Sequence, residues 1–223
     1  MILDLIGTGQ VTQDVIRLLE RMVPDPVNKP QLVDYLRRQM DRGKPAVELR
    51  TVIRALARKM KPNSYLEVGV RLGWSMAQVM AESLTCAIVG CDSWVVNYGG
   101  VQNYGAGWLR HELKRVVPEY AGILTLISGE SQVELPLVTT RSEFDLICVD
   151  GDHTGPGALA DLRLCLPMVA PGGALVFDDL VDGSDDNGAM TLRDAWRQAM
   201  SEHEGFTWHE FDGLVPVGVA VRV

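Results

Sequence analysis

The sequence predicts an α/β fold: a doubly wound, mainly parallel sheet of seven strands with one antiparallel strand near its end, preceded by helices. Three features predict it. From Pro62 onward, short apolar runs alternate with helical segments. The first five runs are apolar nearly throughout, which fits strands buried on both faces of a parallel sheet. The last two flank Asp212-Gly213, a turn signal for a hairpin at the sheet edge.

Before the sheet, residues 9–60 read as helical. In 12–22, Val15, Ile16, Leu18 and Leu19 recur at helical spacing, and Pro24-Asp25-Pro26 stops the pattern. Segments 31–40 and 46–60 carry further amphipathic patterns, making three helices. The expected division is a helical cap, 1–61, and a sheet domain, 62–223. These helices read as a cap or a homodimerisation element, with a scaffold role and a substrate-lid role standing equal. The expected strands are 65–68, 87–91, 124–127, 144–149, 174–177, 207–211 and 217–223. The expected helices among them are 75–83, 109–116, 131–137, 157–168 and 191–202. The stretch SWVVNYGGVQNYGAGW, 93–108, lacks periodicity and reads as a long loop after the second strand, where binding loops or lids are common.

Composition sets outer bounds. The 223 residues suffice for one sizeable core, and 47% hydrophobic with 22% charged residues is ordinary for a globular chain. A formal net charge of -8 argues against nucleic acid or an anionic membrane as partner, because both attract cations. It leaves room for a metal cation. Cys86, Cys91, Cys148 and Cys165 form no CxxC pair, which argues against zinc and for buried thiols in a reducing compartment. The N-terminal MILDLIGTG has no basic region and no long apolar stretch, and no run is long enough to span a membrane. The expected location is the cytoplasm.

The chemistry gathers at the carboxyl ends of the strands, where open α/β sheets bind ligands. Glu67 ends the first strand, Gly69 and Gly73 lie in the turn, and Ser75 opens the next helix. The turn reads ExGxxxGxS, not the GxGxxG of dinucleotide sites. Asp92 ends the second strand, placed to accept hydrogen bonds from both hydroxyls of a ribose, or simply to cap a turn. Ser131 reads as a helix N-cap, and with Gln132 it lies where an adenine edge would need partners. The fourth strand ends in Asp150, followed by Gly151-Asp152-His153; the fifth ends in Asp178-Asp179. Carboxylates converging from adjacent strand ends repel one another, and a divalent cation relieves that; oxygen donors favour Mg2+ or Ca2+. Any one of Asp152, Asp178 and Asp179 alone would read as a loop cap. His153 beside them suits a proton acceptor near neutral pH. His111, His203 and His209 have no such neighbours. The loop 182–188, DGSDDNG, lacks the spacing and closing Glu of an EF-hand and reads as solvated.

Together these segments resemble the class I S-adenosylmethionine-dependent methyltransferases, whose sheet is Rossmann-like. Among them the likeness is to the metal-dependent O-methyltransferases, of the catechol type and of the macrocin and mycinamicin type that act on sugar hydroxyls. It covers about 63–196. YLEVGVRLGWS resembles the cofactor turn, GCDS the ribose-binding strand end, SGESQ the adenine side, and VDGDH and VAPGGALVFDD the metal-binding strand ends. The resemblance implies cofactor contacts from Glu67, Gly69, Gly73, Ser75, Asp92, Ser93, Ser131, Gln132 and Asp150. It implies metal ligands Asp150, Asp178 and Asp179, and His153 as general base. The catechol enzymes have Asn where Asp179 stands and Lys where His153 stands, which favours the sugar-methylating branch.

The expected activity is methyl transfer from S-adenosyl-L-methionine to a hydroxyl of a sugar, phenol or other small molecule, assisted by Mg2+ or Ca2+. Two rival readings stand beside it: a protein that binds the cofactor without catalysis, and a nicotinamide-dependent oxidoreductase. The missing GxGxxG and the carboxylate cluster count against the latter.

Overall fold

The computed structural model describes residues 2–7, 9–23, 25–97, 101–138, 143–181 and 190–223. Seven strands, β1 (Ser64–Val68), β2 (Ala87–Asp92), β3 (Leu124–Ser128), β4 (Phe144–Val149), β5 (Val169–Phe177), β6 (Phe206–Phe211) and β7 (Val217–Arg222), form one sheet in the order β3-β2-β1-β4-β5-β7-β6. The neighbours from β3 to β5 are parallel; β7 runs antiparallel to both β5 and β6. The expected architecture is therefore borne out, single antiparallel strand included. The order reverses at β1, so the crevice for a ligand opens beside the carboxyl ends of β1, β2 and β4.

The strands are apolar on both faces because both are covered. Tyr65, Leu146, Cys148, Ala174 and Val176 face one core, while Leu66, Ile147, Val149, Leu175 and Phe177 face the other, following the two-residue period of a strand. Four helices precede the sheet: α1 (Ile2–Gly7), α2 (Gln10–Arg21), α3 (Asn28–Asp41) and α4 (Leu49–Met60). They pack on the first face together with α5 (Trp74–Glu82) and α6 (Gly105–Val116). The second face is covered by α7 (Ser131–Val138), α8 (Gly155–Cys165) and α9 (Leu192–Glu202).

Local chemistry accounts for the differences from the sequence reading. The short α1 has too few residues to show a period, so three helices were expected where four are found among the described residues. Glu48 caps α4: its side chain accepts from the Thr51 amide while the Thr51 hydroxyl accepts from the Glu48 amide, so the helix starts at Leu49 rather than at 46. α6 starts at Gly105, inside the stretch read as loop, just after a turn in which Asn103 accepts from the Gly105 amide. The α8 helix stops at Cys165, two residues before Pro167, and a 3-10 turn at Leu166–Met168 leads into β5. β5 begins at Val169, opposite Phe144, and a register shift then passes over the Pro-Gly-Gly segment before Ala174 pairs with Leu146. The loop 182–188 lies outside the described residues, as do Tyr98, Gly99 and Gly100 of the 93–108 stretch. Among the described residues, no helix is long and apolar enough to cross a membrane.

Candidate active site

The turn after β1 is built around glycine. Gly69 has φ 82°, and a Cβ there would meet the Asp150 carbonyl oxygen at 1.8 Å, so only glycine lets β1 and β4 end side by side. Its amide donates to the Cys91 carbonyl (2.9 Å), and the Asp150 amide donates to Val68 (2.8 Å), which holds three strand ends together. Gly73, φ 70°, is the N-cap of α5.

Glu67 is fully buried beneath this turn. Tyr65 donates to one carboxylate oxygen (2.9 Å) and Ser75, on the first turn of α5, to the other. Burial pushes its carboxyl up to about 8, against those two hydrogen bonds. Asp92, at the end of β2, accepts from the Arg71 amide (2.7 Å) and the Trp94 amide (2.5 Å), one on each oxygen. The turn-capping role is thus real, and the remaining lone pairs of the carboxylate are what a ribose could use. Ser93 beside it is exposed.

Ser131 and Gln132 open α7, as expected, but their side chains are tied to Asp161 of α8. That carboxylate is 1% exposed, and burial raises its pKa although Ser131, the Asp152 amide and Gln132 all donate to it. Asp161 so links the turn after β3 to the turn after β4. Sequence reasoning missed it because it sits mid-helix, where its only sign is a lone acidic residue in an apolar stretch.

Asp150, His153 and Asp179 come together, with one potential ligand atom of each within 4.8 Å of the others. His153 Nδ1 lies 2.9 Å from Asp179 and Nε2 lies 3.7 Å from Asp150. The Asp179 backbone is left-handed, φ 58°, a conformation few non-glycine residues adopt. The hydrogen bond to Asp179 raises His153 to about 9 despite its partial burial. Desolvation raises Asp150 to about 6, opposed by Arg50 and reinforced by Asp179. Asp178 is buried behind them; burial and Asp150 hold its carboxyl well above the usual range, and its Oδ1 has no hydrogen-bond partner among the described residues. Asp152 stands apart as a turn residue, accepting from the Thr154 amide (2.8 Å).

A cation that sequence reasoning missed completes the site. Arg50, on the first turn of α4, stands over the Trp74 ring at 5.8 Å and donates to Glu48 at 3.3 Å. Although desolvation opposes it, the Glu48, Asp178 and Asp150 carboxylates hold its pKa above the ordinary value. In the sequence it is one basic residue in an amphipathic helix, with no local signal.

The sequence of residues 66–180, just over half of the chain and the strand-end part of this site from Glu67 to Asp179, matches the model of a family described as "Methyltransferase domain". The chain belongs to that methyltransferase family. The expected likeness to the class I S-adenosylmethionine-dependent methyltransferases is borne out, and the nicotinamide reading falls. No curated protein matches the methyltransferase by sequence. Several solved structures share its fold. An O-methyltransferase from Bacillus cereus in complex with SAH is 15% identical with a TM-score of 0.59, each chain covered by 100%. CalS11, a TDP-rhamnose 3'-O-methyltransferase of calicheamicin biosynthesis, is 20% identical with a TM-score of 0.58, covering 96% of this chain and 93% of its own. TomG from Streptomyces achromogenes, in complex with SAM, is 14% identical with a TM-score of 0.54, covering 91% and 92%.

Proposed function

We propose that this methyltransferase binds S-adenosyl-L-methionine along the carboxyl ends of β1, β2 and β3 and moves its methyl group to a hydroxyl of a small molecule. The observation that carries the O-methyl reading is the carboxylate and histidine cluster Asp150, His153 and Asp179 beside the Gly69 turn. Glu67, Gly69, Gly73 and Ser75 would face the methionine part, Asp92 and Ser93 the ribose, and Ser131 and Gln132 the adenine. Asp150 borders both the cofactor and the acceptor. The solved O-methyltransferases that share the fold support the same class of acceptor.

A divalent cation fits the cluster. Its donors are hard oxygens, and the buried, unpartnered Oδ1 of Asp178 is an acceptor awaiting a positive charge. Asp150 and Asp179, which the fold brings together, would hold Mg2+ or Ca2+ with Asp178 as the third expected ligand, and His153 stands beside them as the base. Such an ion would lower the pKa of an acceptor hydroxyl. As the residues stand, His153 keeps its proton near neutral pH because Asp179 pairs with it. A cation held by those carboxylates would offset that pairing and leave His153 free to accept a proton. The acceptor hydroxyl then loses its proton to His153, and its oxygen attacks the sulfonium methyl in line, with S-adenosylhomocysteine leaving. Holding both reactants in that line would contribute much of the acceleration.

The test combines three measurements. Calorimetry should show binding of S-adenosylhomocysteine; transfer of a labelled methyl to a panel of sugars and phenols should show turnover; excess EDTA should abolish that turnover. Full activity in chelator sinks the metal assignment. Tight cofactor binding with no transfer to any hydroxyl would favour the non-catalytic reading. His153→Ala should lower kcat by about 100-fold or more, in the range of general-base contributions, with S-adenosylhomocysteine affinity nearly unchanged; collapse of cofactor binding would make His153 structural. A cytoplasmic location and a homodimer through α1–α4 are part of the same proposal, the latter checked by light scattering.

A further inference from the structure

Arg50 belongs to a helix outside the matched family segment, yet its guanidinium lies among the residues that would surround the methionine end of the cofactor. It acts electrostatically on Glu67 beneath the turn, and on Asp150 and Asp178 beside it. Its Nη1 donates to Glu48, and its buried Nε has no hydrogen-bond partner among the described residues. The Trp74 side chain below it, 8% exposed, has a second buried donor without a described partner, the indole Nε1. Trp74 is also the first residue of α5, whose N-terminus adds partial positive charge. Two orphaned donors, a cation and a helix N-terminus on touching side chains call for an anionic acceptor, because buried donors are rarely left unmade.

The carboxylates already present do not fill that role. Glu48 is held by Arg50 Nη1 and by the Thr51 amide; Glu67 is held by Tyr65 and Ser75. Taking the S-adenosylmethionine reading as its basis, we infer that Arg50 binds the α-carboxylate at the amino-acid end of the cofactor, with its Nε side as the donating edge. A guanidinium edge matches a carboxylate with two parallel N–H donors. Arg50 also offsets the repulsion that this carboxylate would meet from Asp150. Arg50 thus makes the pocket selective for an adenosyl ligand that retains its amino-acid end.

The test uses two nucleosides, S-adenosylhomocysteine and 5'-methylthioadenosine, which lacks the amino-acid end. Each is titrated by calorimetry into the full-length wild type, Arg50→Gln and Arg50→Lys. Arg50→Gln should weaken S-adenosylhomocysteine by about 10- to 100-fold, the range for a charged hydrogen bond, and leave 5'-methylthioadenosine within about twofold. Arg50→Lys should fall between, since it keeps the charge and loses the edge. Equal weakening of both nucleosides, or an unchanged S-adenosylhomocysteine affinity, overturns the assignment. Should Arg50→Gln fail to fold, the Arg50→Lys comparison decides by the same criterion. A wild type that binds neither nucleoside overturns the cofactor reading itself; a wild type that binds S-adenosylhomocysteine beside an indifferent Arg50 overturns only the role of the arginine.

Discussion

Glu67 is a carboxylic acid in an apolar place, and its behaviour with pH follows from that. The folded protein keeps its proton up to about pH 8, whereas the unfolded chain releases it near 4.5. Unfolding therefore releases a proton in that window, so the Glu67 contribution makes stability fall as pH rises from about 5 to about 8, then level off. Glu67→Gln removes that fall. Ligand-free wild type should lose ground to the variant as pH rises; at this chain length each kcal/mol moves Tm by roughly 2–4 °C. Thermal unfolding of both proteins from pH 5.5 to 8.5 checks it, and a Tm difference that stays constant with pH would count against the buried-acid account. Glu67, Asp92, Asp150 and Asp179 were legible in the sequence because each ends an apolar strand, and strand ends are where ligands gather. Arg50, Trp74 and Asp161 were not. Their roles arise from contacts with residues far along the chain, and nothing in their own neighbourhood marks them.

At the scale of elements, the turns decide more than the strands. Gly69→Ala would drive a methyl into the Asp150 carbonyl and force an unfavourable φ, so β1 and β4 must part. The variant should lose on the order of 3 kcal/mol or more, as such a clash at a special φ implies, together with cofactor binding. Denaturant unfolding with a binding titration measures both, and a variant of wild-type stability would refute the close approach. On the other side of the sheet, Trp196 stacks on Phe177 at 5.9 Å and covers Gly218 of β7, where a Cβ would meet the indole at 2.7 Å. Trp196→Ala should cost about 3–5 kcal/mol through the cavity it leaves. A loss below 1 kcal/mol would mean the second core repacks freely. The period of apolar residues made the seven strands and most helices readable. The start of α6 was not, because a Gly-rich segment shows no period of its own.

At the scale of the molecule, the helices of 1–61 and one face of the sheet share a single apolar cluster, running from Ile6 and Leu36 to Val176 and Val219. An ionic network crosses the same layer. Arg54 and Arg58 of α4 both donate to Glu82 of α5, and Arg58 also reaches Asp14 of α2 (2.8 Å). Arg54 and Glu82 are nearly buried, so Glu82→Ala would strand a buried cation. The expected loss is about 3–5 kcal/mol, in one cooperative transition, by denaturant unfolding. Two separate transitions in the wild type would show that the helices and the sheet unfold independently, as a division near residue 61 allows. The fold brings Asp150 and Asp179 together with His153 at the crevice edge, and that placement composition alone does not contain.

The carbonyl of Val47 receives the Tyr35 hydroxyl (3.0 Å) and the Leu214 amide (3.2 Å), and Gly213 at the β6–β7 hairpin packs against it so closely that a Cβ would come within 2.1 Å. Val47 immediately precedes the Glu48 cap that sets the first turn of α4, and Arg50 stands on that turn. For a protein engineer, the hairpin tip is therefore poor ground for a randomised library or an affinity tag, though it looks like a spare surface turn. Diversity introduced there would be felt as drift in adenosyl-ligand selectivity, with no change to any residue in the pocket.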